Sequence, residues 1–141
     1  MRAFLAPLAL LPLAACVGAV PASGSHVADG IAPGDVPALS AAVLAFVGMR
    51  QPPGPVALLP PPADPVGLTD RVASDLRAAG HALSPTGRNR LAVQAEPYGG
   101  DVLLRVVLDD ARAARVLTRT PSGTLAGASP YTLTLAGGGG P

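Results

Sequence analysis

The sequence predicts an α/β fold, a small single domain in which two helices pack on a mixed sheet. Two stretches carry apolar residues at helical spacing, and each ends at glycine or proline. The last third alternates apolar and polar residues in short runs separated by turn-forming residues. Helices followed by β hairpins within 141 residues fit one layered domain.

The segment 1–15 is predicted to be a lipoprotein signal peptide. Arg2 precedes the apolar stretch 3–13, which is too short to cross a membrane because a spanning helix needs about 20 apolar residues. Small residues, Ala14 and Ala15, then precede Cys16, the only cysteine of the chain. Charge, apolar core and small residues in this order are typical of a secretory signal. The end of the segment, "LAAC", resembles the bacterial lipobox.

Cys16 is therefore predicted to be a lipidation site. In lipoproteins of this kind the sulfur takes a diacylglycerol, the signal is cleaved before the cysteine, and the new amine is acylated, for example with palmitate. Several acyl chains anchor a protein stably, since each buried methylene contributes about 0.8 kcal/mol. The alternative is a buried structural cysteine. Val17 after the cysteine favours the outer membrane by the usual bacterial sorting rule, so the expected location is that membrane, facing the periplasm.

Three segments are expected after the signal peptide. Residues 16–34 mix small residues with glycine and proline and show no period, which is typical of a flexible tether. Residues 35–135 are expected to form the envelope domain. The end of the chain, 136–141, is expected to be a disordered glycine-rich tail.

The first helix is expected to begin after Asp35 as N-cap, with Pro37 in its first turn, and to stop at "QPPG", 51–54. Its apolar stripe is Leu39, Val43, Phe46 and Val47.

The second helix is expected to be capped by Thr69 and to end at Gly80. On it, Arg71 and Asp75 have the i,i+4 spacing that allows an ion pair. Its apolar side is Leu68, Val72, Leu76 and Ala79.

Strands are expected around and after the second helix. Those near the helix are a buried strand in "PVALLP", 55–60, and a short one in "HALSP", 81–85. Later, 89–96 and 101–110 form a hairpin through Gly99 and Gly100. The alanines and arginines of 111–120 favour a helix, but Val116, Thr118 and Thr120 alternate towards a turn at 121–123, so a strand is predicted there. The segment "PYTLTL", 130–135, is the closing strand. In the hairpin the residues expected to face one side are Leu91, Val93, Ala95, Val102, Leu104, Val106 and Leu108.

The composition argues against nucleic-acid binding. The net charge is +1, the arginines are scattered, and aromatic residues make up 3% of the chain. Nucleic-acid binding normally requires a basic patch or a stacking platform.

A catalytic site is not expected. None of the serines lies in a Gly-x-Ser-x-Gly elbow, and the two histidines are His26, in the tether, and His81. His81 and Ser84 could pair, but a polar residue at a strand entry is the favoured interpretation of His81. The sequence also contains no phosphate-binding or dinucleotide-binding glycine motif, so no cofactor and no small-molecule substrate are predicted.

A metal site is not expected either. The densest acidic group is Asp109 and Asp110 with Asp101. These aspartates are interpreted as solvated turn residues, and the alternative is a cation site.

The last third contains "LRVVLDDARAARVLTRTPSGTLAGASPYT", 104–132. It combines a strand ending in acidic residues, an arginine-bearing strand, a glycine turn, and a small-residue loop before an aromatic–threonine pair. With the lipobox and most of 35–135, it resembles the TrbH family of conjugal transfer lipoproteins. The resemblance implies a role in mating-pair formation of type IV secretion. The resemblance implies no catalytic residue in this chain. The one site residue that it implies is Cys16, as the lipid site.

Two hypotheses follow. The first is a membrane-anchored structural or assembly component of a conjugal transfer apparatus, bound to lipid through Cys16 and to other secretion-channel or envelope proteins. Docking could use a sheet edge, with 89–96 or 130–135 as the candidate edge. The second is a periplasmic small-ligand binding or sensing lipoprotein unrelated to conjugation, which would require a pocket with convergent polar groups.

Overall fold

The computed structural model describes residues 24–127 and 131–135, which build one mixed sheet with two helices packed on it. The helices are α1, Val36–Arg50, and α2, Leu68–Ala78. The predicted fold class, a small α/β domain with a mixed sheet and two helices, is confirmed.

Eight strands are described within these residues. Their bounds are β1 His26–Val27, β2 Pro55–Leu58, β3 Ala82–Leu83, β4 Arg90–Tyr98, β5 Asp101–Leu108, β6 Ala111–Arg119, β7 Leu125–Gly127 and β8 Thr132–Leu135. The central three form an antiparallel meander in which β4 pairs β5 and β5 pairs β6. Parallel strands extend the sheet beyond β4, and β7 and β8 both pair β6 on its outer edge.

Two-residue turns make the meander. Tyr98 pairs with Asp101, so Gly99 and Gly100 form the first turn, with Gly99 at φ 62°. This confirms the predicted hairpin, whose primed turn requires positive φ. The second turn places Asp109 at φ 52°, a conformation that aspartate tolerates better than most residues.

The start of the domain corrects the predicted tether. His26 and Val27 pair in parallel with Gln94 and Ala95, and Val27 and Ile31 are buried in the core. Residues 24–34 therefore belong to the domain, and the flexible segment predicted for 16–34 is wrong over this part. Of the other terminal predictions, 1–23 and 136–141 lie outside the described residues.

The core lies between the helices and one face of the sheet. Val102, Leu104, Val106 and Leu108 alternate with half-buried neighbours and are buried, as the period-2 pattern predicts. From the helices come the largest buried side chains of this layer, Leu39, Val43, Phe46, Val47, Leu68, Val72 and Leu76. Ala79, expected on the same side of α2, is exposed.

The predicted cap of α2 is wrong, whereas the predicted N-cap position of α1, Asp35, is confirmed. Thr69 lies inside α2, and the cap is the Asp64 carboxylate, which accepts the backbone N–H groups of Leu68 (2.9 Å) and Thr69 (2.8 Å) and the Thr69 hydroxyl (2.6 Å). Gly67, at φ 70°, makes the turn that brings Asp64 back to the helix start. The Asp35 side chain accepts no hydrogen bond from the N–H groups of α1, because its carboxylate accepts from Arg119 instead.

Candidate interaction surface

The predicted lipid site, Cys16, lies outside the described residues. The functional residues that can be placed are therefore those of the domain that Cys16 is predicted to anchor.

His81 and Ser84 do not form a catalytic pair. His81 is buried, and its Nδ1 accepts the backbone N–H of Gly54 at 3.3 Å. Ser84 extends the short β3 ladder, where its N–H donates to the Val56 carbonyl. His81 thus links the loop after α1 to the entry of β3, as a polar strand-entry residue would.

The three aspartates of the alternative cation site are separated. Asp101 begins β5, whereas Asp109 and Asp110 follow its end, roughly 26 Å away at 3.3 Å per residue. Asp101 Oδ1 accepts the N–H of Arg119 and Asp109 Oδ1 accepts the N–H of Arg90, each at 2.9 Å. Within 24–127 and 131–135 no group of three histidine, cysteine or acidic residues is placed to hold a metal ion.

One of the two candidate docking edges is wrong. The segment 89–96 lies in β4, which has β5 on one side and β1 and β2 on the other. Its backbone groups are therefore used inside the sheet. The other candidate, 130–135, contains β8 and lies on the outer edge of β6, which we describe next in two halves.

The β7 half of this edge is tied to the rest of the domain by Arg119. Its guanidinium donates to both oxygens of Asp35, at 3.0 and 2.8 Å, and to the carbonyls of Gly100 (3.1 Å) and Gly123 (2.8 Å). The Asp35 side chain is 5% exposed. Hydrogen bonding to Asp35 raises the pKa of Arg119, so the guanidinium stays charged. One side chain thereby joins the start of α1, the β4–β5 turn and the β6–β7 turn.

Tyr131 fastens the chain between the two halves. Its hydroxyl donates to the Ala42 carbonyl, its ring centroid lies 5.9 Å from that of Phe46, and the guanidinium carbon of Arg115 lies 4.9 Å above the ring. Gly127 lies directly against Arg115, and a Cβ at this position would displace the guanidinium from its place over the ring. A cation over an aromatic face is attractive, and the ring is held on both sides.

The β8 half is exposed by comparison. All four of its residues are exposed, with Leu133 at 47% and Leu135 at 50%. These leucines pair with Ala113 and Ala111, whose side chains are buried on the helix side of the sheet, so the leucines point to that same side. No helix covers them within the described residues. We call the surface formed by Leu133 and Leu135 and the outer backbone of β8 the β8 edge.

The ladder pattern shows which backbone groups of β8 are free to bind. The N–H of Arg119 points towards β5, where Asp101 accepts it, and the N–H of Thr120 points towards Thr124 on the β7 side. Backbone groups alternate along a strand, so the even-numbered residues of β6 face β7 and β8. Thr132 and Thr134 pair with two of them. The backbone groups of Leu133 and Leu135 therefore point away from β6.

Met49 lies on the same stripe of α1 as the residues that hold Tyr131. Ala42, Phe46 and Met49 follow at i, i+4 and i+7, and Met49 is 65% exposed. The start of α1 lies at the Arg119 end of β6, and Tyr131 contacts the middle of the helix, so the last turn of α1 extends in the direction in which β8 runs along β6. Met49 therefore lies towards the same end of the domain as Leu133 and Leu135. Sequence reasoning missed Met49, and it noted Tyr131 only as part of the aromatic–threonine pair, without its contacts to α1.

Within the described ranges no helix is long and apolar enough to cross a membrane. Comparisons with protein-family models, with curated proteins and with solved structures found no match to this chain.

Proposed function

We propose that this chain is a lipid-anchored assembly component of the bacterial envelope that serves a conjugal transfer apparatus of the type IV secretion, mating-pair formation kind. The observation that carries the proposal is the β8 edge, which nothing covers within the described residues, on a domain that follows a cysteine in a lipobox-like sequence. Attachment through Cys16 holds the domain at a membrane, and the β8 edge binds a neighbouring envelope protein.

The mode of docking is strand addition. The outward N–H and C=O groups of Leu133 and Leu135 can pair with an extended segment of the partner, and main-chain hydrogen bonds supply affinity in such pairings. The two leucines lie on one side of β8 and supply an apolar contact of defined spacing. Natural sheets usually protect exposed edges with charge, proline or a bulge, and β8, "TLTL", has no charged residue and no proline.

The link to conjugal transfer comes from the resemblance of 104–132 to TrbH lipoproteins. This segment contains β6, with which β8 pairs, and β7, and it ends at Thr132, the first residue of β8. The residues that carry the resemblance therefore lie next to the proposed docking surface, while Leu133 and Leu135 follow them in the chain.

The anchor is tested by Cys16→Ser, with Val17→Ala as a control that alters the same region and keeps the thiol. We expect Cys16→Ser to leave the membrane fraction and to reduce transfer of a conjugative plasmid, while Val17→Ala behaves as wild type. Mass spectrometry of the N-terminal peptide should show acyl chains on Cys16 in the wild type. A wild-type peptide without acyl chains, or normal membrane fractionation of Cys16→Ser, would contradict the proposal.

Docking is tested by a photo-crosslinking amino acid at position 133, with the same residue at Ser74, an exposed position on α2, as the control. We expect position 133 to capture a secretion-channel protein and position 74 to capture none. If position 133 captures nothing while the purified protein retains a small molecule in native mass spectrometry, the second hypothesis, a ligand-binding lipoprotein, replaces this one.

The strand-addition mode is tested by Leu133→Pro against Thr134→Pro. The N–H of Leu133 points outward, so proline there removes a bond to the partner and none to β6. Proline at 134 removes a bond to β6. We expect Leu133→Pro to lower transfer while the thermal midpoint changes little, and Thr134→Pro to lower the midpoint. Unchanged transfer in Leu133→Pro would exclude β8 as the docking strand.

A further inference from the structure

The sheet has a second face, opposite to α1 and α2, on which no helix lies within the described residues. Along the strands this face takes the residues that alternate with the core positions. On β4 two of them, Ala92 and Gln94, are buried. On β5 and β6 they are half-buried or exposed, and the ones used below are Leu103, Arg105, Val107, Arg112, Val116 and Thr118. We call this surface the helix-free face.

The chain enters the domain at the helix-free face. Gln94 alternates with Val93 and Ala95, which are core residues, so its side chain lies on the helix-free side of β4. The Gln94 amide nitrogen donates to the Gly24 carbonyl at 2.7 Å. His26 pairs with Gln94 and lies on the same side. The polypeptide that links the domain to Cys16 therefore starts from this face.

That link is short. Seven residues separate Cys16 from Gly24, and the eight steps between their Cα atoms span at most about 29 Å when fully extended. The sheet and the helix layer together are about 20 Å thick. For the helices to face the membrane, the link would have to pass around both layers, which uses most of its reach. Because the link is short and starts from the helix-free face, it favours an orientation in which this face is turned towards the lipid.

The chemistry of the face fits a phospholipid surface. Leu103 and Val116 are cross-strand partners and form a half-buried apolar centre with Val107 nearby. Arg105 pairs with Glu96 at 2.7 Å, and Arg112 is exposed beside it on the next strand. Arginine binds phosphate oxygens in a bidentate manner, and a basic residue at an anionic leaflet strengthens attachment.

We propose that the helix-free face lies against the membrane that carries the acylated Cys16, with Arg112 at the level of the lipid phosphates. The inference rests on the proposed lipid anchor. It places the sheet flat on the bilayer, directs α1 and α2 away from it, and leaves the β8 edge pointing sideways, where a neighbouring membrane-bound protein can reach it.

The orientation is tested on the purified full-length lipoprotein in vesicles of phosphatidylethanolamine with roughly a quarter phosphatidylglycerol, an anionic surface of the kind that attracts arginine. The acylated Cys16 carries no free thiol, so a single introduced cysteine can be labelled with an environment-sensitive fluorophore. The test site is Thr118→Cys on the helix-free face, and the matched controls are Ala45→Cys on α1 and Ser74→Cys on α2, both exposed.

We expect the label at 118 to shift to shorter emission wavelength and to be quenched by lipid-borne quenchers, and the labels at 45 and 74 to respond only to aqueous quenchers. Equal aqueous quenching at all three sites, or lipid quenching at 45 or 74, would overturn the inference. Flotation of the same samples separates this failure from that of the anchor, because a protein that floats with the vesicles is anchored whatever its orientation. Protein that does not float contradicts the anchor and the orientation together.

The role of charge is tested by Arg112→Gln in the Thr118→Cys background, with Arg77→Gln on α2 as the control. One basic residue at an anionic surface changes the ratio of docked to undocked protein about fivefold. We expect this loss for Arg112→Gln, no change for Arg77→Gln, and little difference between the two on phosphatidylcholine vesicles. Equal effects of the two variants on the anionic vesicles would exclude Arg112 as a lipid contact.

Discussion

Along the outer edge of β6, the β7 half and the β8 half differ in how they are fixed to the domain. Leu125 of β7 and Leu133 of β8 pair with Arg119 and Ala113 on the same strand and point to the same side of the sheet. Leu125 is 8% exposed, and Leu133 is 47% exposed. The β7 half also has the Arg119–Asp35 ion pair. One strand edge therefore has a half that stabilises the fold and a half that is available for binding.

The largest expected effect is that of Leu125→Ala. A buried leucine truncated to alanine loses its transfer free energy and leaves a cavity, so we expect the free energy of unfolding to fall by about 2.5 kcal/mol. Urea denaturation of a signal-less, soluble form measures it. A loss no larger than that of Leu133→Ala would show that the two halves do not differ as the burial indicates.

The next effect is that of Asp35→Ala. It removes a carboxylate that is 5% exposed and that accepts two hydrogen bonds from Arg119. Because the Arg119 side chain is 36% exposed and water can replace its lost partners, we expect a loss of about 2 kcal/mol for the two bonds together. A double-mutant cycle with Arg119→Ala isolates the pair. Additive effects of the two substitutions would mean that the ion pair does not couple α1 to the β6–β7 turn.

The local signals in the sequence predicted much of this architecture. The alternation in β5, the glycines of the β4–β5 turn and the Arg71–Asp75 spacing depend on residues close in the chain, and the ion pair is present at 2.8 Å. Asp35 shows where such reasoning stops. Its neighbours predict a helix cap, but its partner Arg119 is 84 residues away and no local pattern reveals it.

The same limit explains the errors at the start and at the edge. β1 has two residues, too few to show a period, and its burial depends on pairing with β4, which is some 70 residues later. The sequence predicted 130–135 as an edge candidate but could not distinguish it from 89–96, because strand order is a property of the whole sheet. The packing of Tyr131 on α1 was missed because its partners, Ala42 and Phe46, are far from it in the sequence.

A smaller effect, away from both halves, is that of Asp64→Ala at the start of α2. Loss of a helix cap costs about 1 kcal/mol. Partial burial raises the pKa of Asp64, but hydrogen bonds from the Thr69 hydroxyl and from the N–H groups of Thr69, Leu68 and Gly67 outweigh it and hold the pKa below 3.8. The stabilisation is therefore present above pH 3.8 and is lost as the pH falls through the lower folded-state pKa.

Asp64→Ala should consequently differ from wild type at pH 7 and converge with it in acid, which urea denaturation at several pH values measures. A constant difference down to the acid limit would contradict the capping role of the carboxylate. The variant also sharpens the comparison of the two halves, since it lowers stability without altering either. If Asp64→Ala reduces crosslinking at position 133 as strongly as a substitution in β8 does, then the β8 substitution acts through stability and not through docking.

The smallest expected change in stability is that of Leu133→Ala. Half of this side chain is already in water, and substitutions at such surface positions change the free energy of unfolding by about 0.5 kcal/mol or less. Docking should respond far more, because the exposed half is the part that a partner strand would cover and an apolar anchor in an interface can contribute more than 1 kcal/mol. We therefore expect near wild-type urea unfolding together with a clear loss of partner capture by a crosslinker at Leu135. If Leu133→Ala captures the partner as well as wild type does, Leu133 does not contribute to an interface. The two halves of the β6 edge would then differ in exposure without differing in function.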